Sequence, residues 1–194
     1  MKRKTEIQAP MGETRVLLHT CCAPCSSAII EALIQNGITP VIYYCNPNIY
    51  PHKEYEIRKE ECTRYAQALG LEIVDADYDH ENWLEAVKGL EDEPERGGRC
   101  LKCFKLRLLR TAEYARQRGI KVITTTLASS RWKSLDQIDE AGLWACGQVS
   151  GDVIWWDRNW RKGGLQERRL QIIKEYDFYN QLYCGCEFSM RKED

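Results

Sequence analysis

The sequence predicts a single α/β domain: a mostly parallel sheet with helices on both faces. Three observations carry that reading. Short β-branched and aromatic runs alternate with helical runs along most of the chain. Glycines stand just past three helical runs, at Gly37, Gly70 and Gly119. A length of 194 residues with 43% hydrophobic and 29% charged content suits one globular domain with its own core.

In chain order, Arg15–Thr20 is a short apolar first strand that ends at a thiol-rich turn, Cys21-Cys22-Ala23-Pro24-Cys25. Ser26–Asn36 is a helix closed by Gly37, and Thr39–Tyr44 is a β-branched and aromatic strand. The loop Cys45–Pro51 cannot be regular because Pro47 and Pro51 interrupt it. His52–Leu69 is a long helix with Tyr55, Cys62, Ala66 and Leu69 on one face. Leu71–Ala76 is a third strand, Glu81–Lys88 a short helix and Glu91–Gly98 a charged loop. Arg99–Arg118 is a helix stopped by Gly119, Lys121–Thr126 a fourth strand and Val153–Trp156 a fifth. The whole chain, 1–194, is expected as one domain, with 1–14 an N-terminal extension and 15–189 the core. Repeats, low-complexity segments and linkers are absent from the sequence. In such a sheet a ligand sits outside the carboxyl ends of the strands, an edge that here carries Cys21, Cys22, Asn46, Asp77, Asp79 and Ser129.

The N-terminus, Met1-Lys2-Arg3-Lys4-Thr5-Glu6, leads into no apolar signal core, and no apolar run approaches membrane-spanning length. The expectation is a cytoplasmic protein with no membrane partner. There thiols stay reduced, and clustered cysteines point to metal binding or catalysis. The chain has 10 cysteines, enriched but below the density of a disulfide scaffold.

Cys21, Cys22 and Cys25 fall within five residues, Cys100 and Cys103 form a second pair, and Cys184 and Cys186 a third. On the helix carrying the second pair, Leu101, Phe104, Leu108, Ala112 and Ala115 share the core stripe. Cys100, Cys103, Arg107 and Arg110 share the neighbouring one. Cations beside thiolates lower thiol pKa values and can hold an anionic substrate. The paired Gly97-Gly98 allows a close backbone approach at the start of this helix. Three readings of the thiols stand: a thioredoxin-like pair at Cys22 and Cys25, a four-cysteine zinc site, or an iron–sulfur cluster. Five thiols exceed the four that a closed structural site needs, which favours the cluster. Isolated Cys62 and Cys146 are read as core. The histidines His19, His52 and His80 are scattered and form no metal-ligand pair. The first turn holds no glycine, so the phosphate loop of ATP-using sheets is missing and ATP use is not expected.

A net charge of −1 excludes a global electrostatic argument for nucleic acid. Locally, Arg96, Arg99, Lys102, Lys105, Arg107 and Arg110 run without an acid. Arg158, Arg161, Lys162, Arg168 and Arg169 face only Glu167. Such segregation builds either a basic face or two solvated helix faces.

Taken together, Cys21-Cys22-Ala23-Pro24-Cys25, Asn46-Pro47-Asn48-Ile49 with Tyr55 and Arg58, Glu95-Arg96-Gly97 with Arg99-Cys100-Leu101-Lys102-Cys103, Thr125-Thr126-Leu127 and Tyr183-Cys184-Gly185-Cys186 resemble epoxyqueuosine reductase of the QueH type. The resemblance spans roughly Arg15 to Ser189. It implies a fold related to the adenine-nucleotide alpha hydrolases (HUP-like). It implies the last step of queuosine synthesis on tRNA, in which an epoxide on the cyclopentane ring of the modified wobble base becomes an alkene. It also implies a 4Fe–4S cluster with a neighbouring iron ion, and an external electron donor, since the chain shows no nicotinamide or flavin fingerprint. One departure is visible: Asn159-Trp160-Arg161-Lys162 stands where the family pattern has Asp-aromatic-Arg-Lys.

Within that frame Cys22, Cys25, Cys100 and Cys103 are the expected cluster ligands, with Cys21 catalytic on the extra iron. Asp79 is a candidate carboxylate ligand of that iron, or else a helix N-cap. Cys184 and Cys186 are expected as a redox pair able to form a disulfide. Arg96, Arg99, Arg107, Arg110, Arg161 and Lys162 are expected to contact tRNA, with Tyr44, Tyr50 and Trp132 available for base stacking or for packing. An adenylyl-sulfate-reductase relative and a zinc-containing RNA-binding module are the alternative functions. The motif order and missing phosphate-loop glycines oppose the first, and iron content would exclude the second.

Overall fold

The computed structural model describes residues 6–149 and 151–190. Five strands form one sheet: β1 (Arg15–Thr20), β2 (Thr39–Tyr44), β3 (Ile73–Asp75), β4 (Val122–Thr125) and β5 (Ile154–Trp155). Their order is β3-β2-β1-β4-β5 and every pairing is parallel, so the sheet expected to be mostly parallel is wholly so. The central strand β1 pairs Arg15 with Thr39 through Thr20 with Tyr44 on one side, and Leu17 with Ile123 on the other. Val16 to Thr20 are all buried, as a strand covered on both faces requires.

Six α-helices cover the sheet among the described residues: α1 (Ala23–Gln35), α2 (His52–Ala68), α3 (His80–Ala86), α4 (Gly98–Gln117), α5 (Leu135–Gln148) and α6 (Leu165–Glu175). Helix α1 packs against α2 and α6; α4 packs against α3 and α5. These two layers enclose a core of Leu17, Leu18, Ile30, Leu33, Ile42 and Ile123 with Leu108 and Ala112 of α4. Of the expected N-terminal extension, residues 1–5 lie outside the described residues, while Ile7 and Ala9 are buried in this core. Cys62 is buried and Cys146 packs against the core, as read from sequence.

The chain steps outward from β1 to β2 and β3, then crosses to the other side of β1 for β4 and β5. The strand order therefore reverses between β1 and β4, and a crevice opens at their carboxyl ends. Residues 21 and 126 follow those two ends directly.

Helices α5 and α6 were not separated as elements by the alternation of runs. Helix α5 has a local start signal: the Ser134 hydroxyl accepts from the Gln137 amide at 3.3 Å. Its glycine at 142 interrupts a helical pattern for a tertiary reason. A Cβ there would meet the Trp155 indole of β5 at 2.1 Å, so the glycine is the notch that seats the ring. Trp155 Nε1 also donates to Asp139 of α5 at 3.1 Å. Gly142→Ala should lower the denaturant midpoint, with a loss of about 1–3 kcal/mol from overpacking. An unchanged midpoint would show that α5 does not rest on this ring.

Candidate metal and thiol site

The cysteine turn is built by the junction of strand and helix. Cys21 follows β1, and Cys22 is the extended N-cap of α1, at φ −170°. Pro24 falls in the first helical turn, where its missing N–H costs nothing. The side chains of an N-cap and of the residue three further on converge, which brings Cys22 and Cys25 together. The Sγ atoms of Cys21, Cys22 and Cys25 lie within 4.8 Å of one another, with Cys21 to Cys22 at 3.8 Å. Thr126, just past β4, fixes Cys21 from the far side of the crevice. Its hydroxyl accepts from the Cys21 amide at 3.2 Å and lies 3.4 Å from Cys21 Sγ.

These thiols share their protons unequally. Hydrogen bonds from Cys22 and Cys25, then from Thr126, outweigh burial and hold the Cys21 thiol well below its usual pKa. Burial pushes Cys22 well up. Its bond to Cys21, chiefly, pushes Cys25 up to about 12. Gln181, from the C-terminal segment, donates its amide to Cys22 Sγ at 2.8 Å. No sequence motif pointed to Gln181.

Arg107 lies beneath the site, fully buried, without a carboxylate partner among the described residues. It donates to Asn46 Oδ1 at 2.5 Å and to the Cys45 carbonyl at 3.2 Å, and its Nη1 lies 3.9 Å from Cys103 Sγ. Asn46 in turn donates to the Thr20 carbonyl at 2.9 Å, tying the β2 loop to the end of β1. Against the penalty of burial, Cys103, Cys21 and Cys184 raise the pKa of Arg107. Arg107 thus sits among the thiols of all three sequence motifs. His19, on β1, spans Thr125 at 2.7 Å and the Cys45 carbonyl at 3.0 Å. Burial, then Arg107, lowers its pKa to about 3, so it is a neutral brace.

The close approach expected at Gly97-Gly98 is made by Glu93. Its carboxylate accepts from the Gly98 amide at 2.8 Å, and a Cβ on Gly97 would meet it at 2.3 Å. Buried Arg99 donates to the carbonyls of Leu90, Glu91 and Glu93, which pins the charged loop over the start of α4. Cys100 and Cys103, one turn along, line a narrow cleft together with Cys184 and Cys186. Cys103 and Cys186 pack with Trp83 and Val87.

The C-terminal cysteines are placed by Arg58. This buried guanidinium is paired with Glu54 at 2.7 Å and donates to the carbonyls of Cys184 at 3.2 Å and Tyr183 at 3.3 Å. Gly185, at φ 114°, crosses so close that a Cβ would lie 2.9 Å from Ile49 and 3.0 Å from Arg58. That explains a glycine between the two cysteines. All ten cysteines are free thiols, and the Cys184 sulfur is engaged elsewhere: Lys133 Nζ donates to it at 2.8 Å. Burial alone would raise the Cys184 thiol. The charge and hydrogen bond of Lys133, helped by Arg107, bring it below its usual value. Lys133 carried no signal in the sequence.

Cys21, Cys25, Arg107, Lys133 and Cys184 line one cavity of about 600 Å³ at the carboxyl edge of the sheet. Two expectations meet a different geometry. Asp79 lines another cavity, with Asp77 and Tyr43; its carboxylate accepts from Arg110 at 2.6 Å and from the Asn82 amide as the N-cap of α3. The N-cap is the role the structure supports. The two basic runs are also largely consumed internally. Arg99 and Arg107 are buried, Arg110 serves Asp79, and Arg96 donates to the carbonyls of Arg131 and Trp132. Arg161 donates to those of Ser130 and Lys133, and Lys162 is exposed. Tyr44 is buried packing, whereas Tyr50 and Trp132 are exposed.

The Lys133 contact makes a prediction. Alkylation of Cys184, followed by peptide mass, should persist as the pH is lowered through the ordinary thiol range and fail only below it. Lys133→Met should move that profile to higher pH, toward or above that of a free cysteine. An identical profile in both proteins would show that the ammonium does not set the ionisation of Cys184.

Comparison with known proteins identifies the family. The family described as "Epoxyqueuosine reductase QueH" matches residues 16–192. Curated proteins from several bacteria carry that same name. The one from Histophilus somni is 48% identical over 188 residues, covering 97% of this chain and 77% of its own. The one from Acinetobacter baylyi is 46% identical over 190 residues, covering 98% and 87%. The one from Thermotoga maritima is 35% identical over 178 residues, covering 90% of each. The chain belongs to the QueH family of epoxyqueuosine reductases.

Proposed function

We propose that the protein reduces epoxyqueuosine at the wobble position of tRNA to queuosine. The observation that carries this reading is the thiol trio held at the strand-order reversal beside a buried, carboxylate-free arginine. A fixed cation among thiols favours their ionised form, which is the form that binds soft metals. The donor set suits a thiolate-bound iron–sulfur group: Cys21, Cys22 and Cys25 lie within 4.8 Å of one another, whereas Cys100 and Cys103 of α4 line the neighbouring cleft and would have to close on that trio. We assign the 4Fe–4S cluster to Cys22, Cys25, Cys100 and Cys103, and an additional iron ion to Cys21. Asp79 receives no ligand role, because it is committed to Arg110 and to the α3 cap.

Removing an epoxide oxygen takes two electrons and two protons and releases water. When bound, the iron–sulfur group supplies the electron relay and a Lewis-acidic iron for the epoxide oxygen. The chain's own residues do the rest. The 600 Å³ cavity has room for a nucleotide side group. Lys133, held beside Cys184, keeps a protonated ammonium at its wall. Gln181 and Thr126 orient the thiols, and Arg58 holds the Cys184–Cys186 segment over the opening. We assign Cys184 and Cys186 a redox role, separate from cluster ligation. The electrons come from an external low-potential donor. No helix among the described residues is long and apolar enough to cross a membrane, and we place the reaction in the cytoplasm, where such thiols stay reduced.

The test supplies anaerobic, iron-loaded protein with epoxyqueuosine-containing tRNA and a low-potential reductant, without nucleotide. The tRNA is then digested and analysed by mass. Queuosine is expected. Cys103→Ser should lose both bound iron and conversion, while the Cys184→Ser, Cys186→Ser double variant should keep its iron and lose turnover. Iron-loaded protein that leaves the epoxide intact with every donor would contradict the reading.

A further inference from the structure

A second cavity, of about 450 Å³, adjoins the thiol cavity. Cys25, Ser130, Trp132 and Arg169 line both, so the two are continuous. The second is cationic: Arg131, Arg161 and Arg169 line it with Ser129 and Gln166, and no carboxylate does. Neither Arg131 nor Arg169 makes an ion pair among the described residues. Arg131 lies 4.9 Å from the Trp132 ring centroid, and Arg169 donates Nε to the Pro24 carbonyl at 2.9 Å. Arg161 is held by two carbonyls, yet its Nε is buried without a partner. The residue that precedes Arg169 on α6 behaves differently. Arg168 is matched by Glu31 at 2.6 Å and Glu175 at 2.7 Å, as ordinary surface arginines are.

Three guanidinium groups gathered without an acid repel one another, and an anion relieves that repulsion. Planar donor forks suit phosphate oxygens, and the Ser130 hydroxyl, which accepts from the Trp132 amide at 3.3 Å, has its proton left to add a neutral donor. Trp132 is 64% exposed at the shared rim and backed by Arg131, an arrangement that suits stacking of an unpaired base. Arg169 belongs to the basic run Arg158–Arg169 of the sequence, whereas Arg131 and the cavity that joins them carry no signal there.

We propose that this cavity binds a backbone phosphodiester adjoining the reacting nucleotide, with Trp132 stacked on the neighbouring base. The proposal rests on the reading that the thiol cavity receives a tRNA nucleotide. It assigns the arginine cavity to the flanking backbone rather than to the modified base.

The test uses the iron-loaded protein and the anticodon stem–loop RNA, unmodified at the wobble base, with a neutral methylphosphonate at one linkage flanking that base. At one of the two linkages the substitution should weaken binding to the native protein about tenfold. It should weaken binding to Arg131→Gln by clearly less than that, because one of the three guanidiniums facing the phosphate is already gone. Arg131 is exposed, so this variant should fold normally. Its binding should also show a salt slope shallower by about 0.7, the value for one phosphate contact on a single strand. Trp132→Ala should weaken binding without changing that slope. Losses that multiply in Arg131→Gln, or a native protein indifferent at both linkages, would overturn the proposal. Queuosine formation by the native preparation keeps the two readings apart. Conversion without this coupling removes the cavity assignment alone, and absence of both removes the function as well.

Discussion

The architecture of the site depends on one buried charge. Arg107 is buried and meets no described carboxylate, and its fixed neutral partners are Asn46 and the Cys45 carbonyl. An isolated cation in a protein interior carries a penalty of several kcal/mol, which has to be offset by negative charge nearby. The groups around Arg107 able to supply it are thiols: Cys21 before α1, Cys103 on α4 and Cys184 near the C-terminus. The arginine and the thiols are therefore mutually dependent. The cation favours thiolates, and thiolates, alone or bound to iron, make the cation tolerable.

The fold explains why three distant motifs meet there. Parallel strands deliver residues 21, 46 and 126 to the same edge, and the reversal of strand order leaves that edge open between β1 and β4. Helix α4 then brings Cys103 and Arg107 across the crevice, one turn apart. The C-terminal segment closes it from above, because Arg58 of α2, held by Glu54, donates to its carbonyls at Tyr183 and Cys184. Gly185 is required at that crossing by the nearness of Ile49 and Arg58.

Much of this was legible in the sequence. The five strands stand where β-branched and aromatic runs placed them, and the cysteine turn lies at the predicted junction of strand and helix. What escaped was set by tertiary contacts. Helix α5 carries a glycine that looks like an interruption until the Trp155 ring fills the notch. Lys133 and Gln181 are ordinary polar residues in loops; only packing shows that each donates to a thiol. The basic run of α4 read as an RNA-facing stripe, but a helical wheel cannot distinguish a cation facing solvent from one facing a buried cavity. Arg99 and Arg107 point inward to carbonyls and thiols, and Arg110 is paired with Asp79. The carboxylate of Asp79 was ambiguous for the same reason, since an N-cap and a metal ligand have the same one-letter code.

The mutual dependence of Arg107 and the thiols is tested most directly by Arg107→Met. Methionine fills a similar volume without charge, and removing a buried cation together with the ionisation it supports is often neutral for folding. The measurement is iron and acid-labile sulfide per folded chain after anaerobic reconstitution, with circular dichroism as the check on folding. The account predicts a native-like fold that retains little iron, with Arg107→Lys retaining an intermediate amount. A folded Arg107→Met protein with full iron and sulfide would contradict it.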